Sequence, residues 1–155
     1  MMIRSAGLLL HRRTGGALEV FIAHMGGPFW ARKDAAAWSI PKGEFDPDLE
    51  TAADAAEREF REELGVDPPD GPRIELGTWA YSSGKRVTVF AVDGTGFTAS
   101  VFTYGTFELE WPPHSGTRHA FGEVDRAEWT PIQSARTRLV KGQRPALDAL
   151  VDAGD

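Results

Sequence analysis

Apolar residues are dense from Ile3 to Arg13 and again from Ala17 to His24, with Thr14-Gly15-Gly16 between them. Val20-Phe21-Ile22 is rich in strand formers, so the two runs predict a β-hairpin. Met25 to Ala37 carries Gly26-Gly27-Pro28 and reads as a loop. Trp38-Ser39-Ile40 predicts a short strand running into Pro41-Lys42-Gly43. Residues 51–64 switch to a helical period. Two further strands are expected over Ile74 to Ser82 and Arg86 to Asp93, joined at Ser83-Gly84-Lys85. Val101 to Trp111 reads as extended and in part a strand, Pro112 to Gly122 as a loop, and Val124 to Trp129 as a last strand. Pro131 suits the first turn of a helix through Val140, and a second short helix fits Arg144 to Val151. The pattern as a whole is α/β, with a mixed sheet and one prominent acidic helix.

That helix has both ends written into it. The Thr51 hydroxyl can cap the first turn and Asp54 can bond back, a capping box with Asp in place of Glu. Gly65 suits a left-handed residue at the far end. With Glu59 set at zero on a helical wheel, Glu62 falls at about −60° and Glu63 at about +40°. Ala52, Ala55 and Ala56 share that face, while Ala53, Phe60 and Leu64 form the stripe expected to face the core. Like charges within one turn repel, and the C-terminal half of a helix is the wrong end for acids. A solvated acidic face is the ordinary explanation of such a string. A hard divalent cation, Mg²⁺ or Mn²⁺, is the other, because the available ligands are all oxygen.

Composition narrows the classes. With 155 residues, 41% hydrophobic and 26% charged, the chain is one ordinary globular domain's worth. It has no cysteine, which excludes disulfides, Cys-based zinc sites, iron–sulfur clusters and a cysteine nucleophile. Lys and Arg total 17 against 23 Asp and Glu, a net charge of −6. Binding to the backbone of DNA or RNA usually needs a basic protein, so no nucleic-acid polymer is expected as partner. The longest apolar run near the N-terminus, Ala6 to Leu10, stops at His11-Arg12-Arg13 and is too short to span a membrane or form a signal-peptide core. A cytoplasmic protein, monomer or homodimer, is expected.

Gly43, Glu50 and Arg58-Glu59-Phe60-Arg61-Glu62-Glu63-Leu64-Gly65-Val66 resemble the Nudix box, Gly-x5-Glu-x7-Arg-Glu-U-x-Glu-Glu-x-Gly-U, where U is bulky and apolar. From Glu50 to Val66 the spacing matches throughout, but six residues rather than five separate Gly43 from Glu50. The resemblance implies a single Nudix hydrolase domain over residues 1–155, an α/β/α sandwich with a mixed sheet and a central loop–helix–loop box. It implies metal-dependent hydrolysis of a phosphoanhydride in a nucleoside diphosphate linked to another group, a nucleoside triphosphate or a dinucleoside polyphosphate. By that resemblance Glu59, Glu62 and Glu63 would hold Mg²⁺ or Mn²⁺, the Gly43 carbonyl would join them, and Arg58 would orient a glutamate by pairing with Glu50. The alternative is a Nudix-like module that senses a nucleotide without cutting it. Such modules usually lack a box glutamate, and here all of them are present.

Outside the box, Lys42 is a candidate for a phosphate not covered by metal, with Arg32 and Lys33 in the preceding loop as further candidates. Trp30, Trp79, Tyr81 and Trp111 could stack on a base, although core packing is the better expectation for each. His114 and His119 are expected to be loop residues and not a zinc site. Similar proteins commonly supply one more carboxylate from beyond the box, as metal ligand or general base. Glu123, directly after Gly122, is the first candidate, and Glu108, Glu110 and Asp125 compete.

Overall fold

The computed structural model describes residues 2–82, 84–98, 102 and 104–154. Seven strands form one mixed sheet. Strand β1 (Ile3–Thr14) and β2 (Ala17–Met25) pair antiparallel around Gly15 and Gly16, which both take positive φ, as a two-residue hairpin turn requires. β2 also pairs with β3 (Trp38–Ser39) and with β9 (Val124–Pro131). β1 pairs antiparallel with β4 (Lys42–Phe45) and parallel with β6 (Lys85–Asp93), which in turn pairs with β5 (Ile74–Ser82). β7 (Thr106–Glu110) and β8 (Arg118–Gly122) form a separate two-stranded hairpin.

The central strands are buried on both faces, so their side chains divide by period two into two cores. Leu8, Leu10, Phe21 and Phe90 pack under helix α1 (Ala52–Leu64). Leu9, Val20, Ile22 and Val89 pack under helices α2 (Ile132–Arg138) and α3 (Arg144–Ala153). This is the expected α/β/α arrangement. Among the described residues, no helix is long and apolar enough to cross a membrane.

Three expectations need correction. Gly43 lies within strand β4, held opposite Ala6 of β1, rather than in a loop. Residues Pro112 to Gly122 are not all loop, because Arg118–Gly122 is strand β8. Its Arg-His-Ala-Phe-Gly sequence has no β-branched residue, and only pairing with β7 makes it a strand. Helix α2 begins at Ile132 and ends at Arg138, with Pro131 just outside it. Two expectations, the turn residue Ser83 and the start of the extended run at Val101, lie outside the described residues.

Candidate active site

Helix α1 begins as its sequence suggests. Thr51 Oγ1 accepts the Asp54 N–H at 3.1 Å, and Gly65 closes the helix in the left-handed region with its N–H on the Arg61 carbonyl at 2.7 Å. Among the described residues, no bond returns from the Asp54 carboxylate to Thr51, since Asp is one methylene shorter than the Glu of a full capping box. The buried arc differs from the expected one. Ala55, Ala56, Phe60 and Leu64 are buried, Ala52 packs against them, and Ala53 is exposed. The small alanines let the helix settle closely on β1 and β4, and this draws Glu59 and Glu63 into the packed face. Glu62 falls outside it. The Glu59 side chain is 15% exposed and that of Glu62 58%.

Gly43 shows how close the approach is. A Cβ at that position would lie 2.0 Å from the Glu59 carboxyl carbon. The extra residue before Glu50 therefore does not displace Gly43, because the longer segment is taken up by the turn at Asp46–Leu49. Strand β3 positions the approach to β4 from the other side. Buried Gln143 accepts the Ile40 N–H at 2.8 Å and donates to Ser39 Oγ at 3.0 Å.

Arg58 organises the carboxylates. It grips both oxygens of Glu50, and its Nη1 donates to Glu59 Oε1 at 2.9 Å and Glu62 Oε2 at 3.0 Å. The expected pairing with Glu50 is present. The Arg58 guanidinium holds the Glu50 carboxyl below its usual range. Burial pushes Glu59 up despite the hydrogen bond and charge of Arg58, with Glu62 and Glu123 adding to the rise. Burial raises Glu63 to about 8. The Lys42 ammonium and backbone N–H oppose that rise, while Glu123 and Glu59 reinforce it. The Glu123 charge thus disfavours ionisation of both Glu59 and Glu63.

Glu123 reaches this group from the junction of β8 and β9. Its N–H donates to the Gly105 carbonyl at 2.7 Å, and its carbonyl accepts the Gly26 N–H at 2.9 Å. A Cβ on Gly105 would lie 3.4 Å from Glu123 Oε2 and 3.5 Å from the Glu62 carbonyl, so the carboxylate stands beside the last turns of α1. The competing acids point elsewhere. Glu108 pairs with Arg118, Glu110 accepts the Gly116 N–H, and Asp125 bonds buried His24 at 2.9 Å.

Lys42, Gly43, Glu59, Glu62, Tyr81 and Glu123 line one cleft of about 550 Å³, and Lys85 joins Lys42 in it. Lys42 Nζ stands 5.3 Å from the Tyr81 ring centroid, and the Tyr81 hydroxyl meets Ser5 Oγ at 3.3 Å. Sequence reasoning missed Lys85. It lies far along the chain at the start of β6, where only the parallel pairing with β1 brings it to the cleft. Arg32 and Lys33 do not line the cleft. Lys33 covers the Trp30 ring, and its carbonyl contacts His24. Trp30 and Trp79 pack against the core, as expected. Trp111 meets exposed Phe29 edge-to-face.

The oxygen-only donor set, with a carboxylate resting on bare glycine backbone, suits a hard divalent cation in its chemistry. Among the described residues, however, no three Asp, Glu or His side chains are drawn together tightly enough to hold a metal ion. Arg58 occupies one oxygen of Glu59 and one of Glu62.

A family model for the NUDIX domain matches residues 1–150. The chain belongs to the Nudix family. Among solved structures, this Nudix fold is similar to a C. elegans Ap4A hydrolase in a binary complex, with 17% identity over 99% of this chain and 100% of that one (TM-score 0.64). It is similar to the NUDIX domain of Shewanella oneidensis NrtR complexed with ADP ribose, with 12% identity over 100% of this chain and 90% of that one (TM-score 0.65). It also resembles the MutT protein from Methanosarcina mazei Go1, with 18% identity over 99% and 96% of the two chains (TM-score 0.61). No curated protein sequence matches this chain.

Proposed function

We propose that this Nudix protein hydrolyses a phosphoanhydride bond in a nucleoside diphosphate linked to a further group, with nucleoside triphosphates and dinucleoside polyphosphates as the first substrates to try. The observation that carries this reading is the cleft itself: Glu59 on Gly43, with Glu62 and Glu123 beside it, faces Lys42 and Lys85. Glu59, Glu62, Glu63 and the Gly43 carbonyl would hold Mg²⁺ or Mn²⁺, with Glu123 able to join them. The ion would polarise the phosphoryl group and make the attacking water more acidic.

The chain's own groups do the rest. Lys42 and Lys85 bind phosphate oxygens and hold the diphosphate against the acidic wall. Glu123, fixed by backbone bonds on both sides, takes the proton as water oxygen attacks phosphorus. The anhydride P–O bond breaks, and the bridging oxygen leaves with the departing phosphate. Arg58 orients the carboxylates through Glu50 and need not touch substrate. Tyr81 supports the Lys42 ammonium with its ring face.

A nucleotide-binding module without catalysis is the second reading. The hold of Arg58 on Glu59 and Glu62 favours it. Incubating the protein with ATP, Ap4A, ADP-ribose and UDP-glucose, each with Mg²⁺ and with EDTA, separates the two readings. Metal-dependent release of nucleotide products supports hydrolysis. Binding of a nucleotide without turnover supports the module, and neither binding nor turnover removes both.

A further inference from the structure

A second cavity of about 360 Å³ opens at the opposite end of the sheet from the cleft. β1 fixes the separation: Ala6 lies beside Gly43, whereas His11 lines the cavity. Five residues of strand span roughly 17 Å. The cavity lies between the end of α3, at Ala153, and the sheet. Leu76 and Ala91 form the sheet side, and Leu150 and Ala153 the helix side, so the space is a slot between two aliphatic walls. Its size falls within the usual range for small-molecule sites.

Polar groups stand at one edge. His11 and Asp93 are partners in the parallel β1–β6 register and project to the same side. Burial outweighs the Asp93 charge and lowers His11, which leaves a neutral imidazole near pH 7. Asp93 accepts the Thr95 N–H at 2.8 Å and stays ionised. Two arginines flank the mouth. Arg12 is neutralised by Glu19 at 2.8 Å and lies over Trp129. Arg13 bonds the Gly16 carbonyl at 3.2 Å and, among the described residues, makes no ion pair. Its charge is therefore available to a ligand.

From this geometry we infer a binding site, separate from the cleft, for a small flat aromatic or heteroaromatic molecule carrying one anionic group. The ring enters between Leu76 and Leu150, and the anion meets Arg13. A ring N–H or amino group would be read by Asp93 and His11. None of these side chains enters the hydrolytic reading, so the site stands or falls independently of it.

The probe is anilinonaphthalene sulfonate, an aromatic sulfonate with a flat naphthalene ring and one N–H, titrated into the folded full chain by fluorescence and by methyl NMR. The expected result is saturable one-to-one binding with the largest shifts at Leu76, Leu150 and Val151. Arg13→Glu should weaken it at least tenfold. Ala153→Trp should abolish it by filling the mouth from an exposed position. Both variants should keep the wild-type melting temperature and any turnover in the cleft. Absence of saturable binding to the wild type overturns the proposal. So do shifts that map to Tyr81 or Trp129 instead, or an affinity that neither variant changes. If either variant misfolds, the wild-type shift map alone decides.

Discussion

The two faces of the sheet are covered by helices made of different material. On one face, α3 buries Ala146, Leu147 and Leu150 over Leu9, Val20 and Val89, an apolar contact throughout. On the other, α1 buries Ala55, Ala56, Phe60 and Leu64 but brings Glu59 and Glu63 into the same contact. The first face is built for stability. The second gives up some stability to place carboxylates against backbone, and Arg58 offsets part of that cost. An amphipathic helix whose packed and charged faces overlap is poorly explained by folding alone, and the overlap is what the proposed function requires of α1.

The sharpest way to break this contrast is to alter the acidic face and look for lost activity without lost fold. Glu123→Gln should lower kcat by on the order of 10²–10⁴ with little change in KM. A variant with wild-type kcat at limiting Mg²⁺ would remove Glu123 from the site. Next, Gly43→Ala would drive a methyl into the Glu59 carboxyl, 2.0 Å away. Misplacement by about 1 Å can cost on the order of 10²-fold, so kcat/KM should fall by about that much. Unchanged kcat/KM would show that Glu59 can move aside without consequence.

The opposite face should respond in stability instead. Leu147→Ala should cost about 2–5 kcal/mol in denaturant unfolding while leaving kcat per folded molecule intact. A loss of kcat in the remaining folded protein would mean that the two faces are not independent.

Glu63 sharpens the comparison through pH. Its carboxyl is raised in the fold, to about 8, so it contributes stability that is complete below the ordinary carboxylate range. That contribution is lost as pH rises through about 8. In EDTA, the melting temperature should therefore fall between about pH 5 and pH 9, and Glu63→Gln should flatten that fall. An equally steep profile in the variant would place the titration elsewhere. The smallest effect on stability is expected from Glu62→Gln, whose exposed pair with Arg58 should contribute roughly 0–1 kcal/mol. A larger change in unfolding free energy would show that Glu62 is structural.

Much of this was legible along the chain because it is local. Thr51 and Gly65 bound α1 through contacts within a few residues, and Gly15-Gly16 define the first hairpin by backbone conformation alone. The spacing from Glu50 to Val66 identified the family before any coordinates, since the box is a continuous segment. The pairing of Arg58 with Glu50 follows from the same segment.

What tertiary structure decided lies between segments distant in sequence. The wheel placed Glu59, Glu62 and Glu63 on one face, but only docking on β1 and β4 separated the half-buried Glu59 and Glu63 from exposed Glu62. Lys85 reached the cleft through parallel pairing, and Arg32 and Lys33 were kept from it by the fold of the 26–37 loop. Strand β8 carries no strand-forming pattern of its own and exists through its partner. Helix caps, turns and a contiguous motif depend on neighbours in the chain. Burial, charge coupling and strand pairing depend on neighbours in space, which no local pattern specifies.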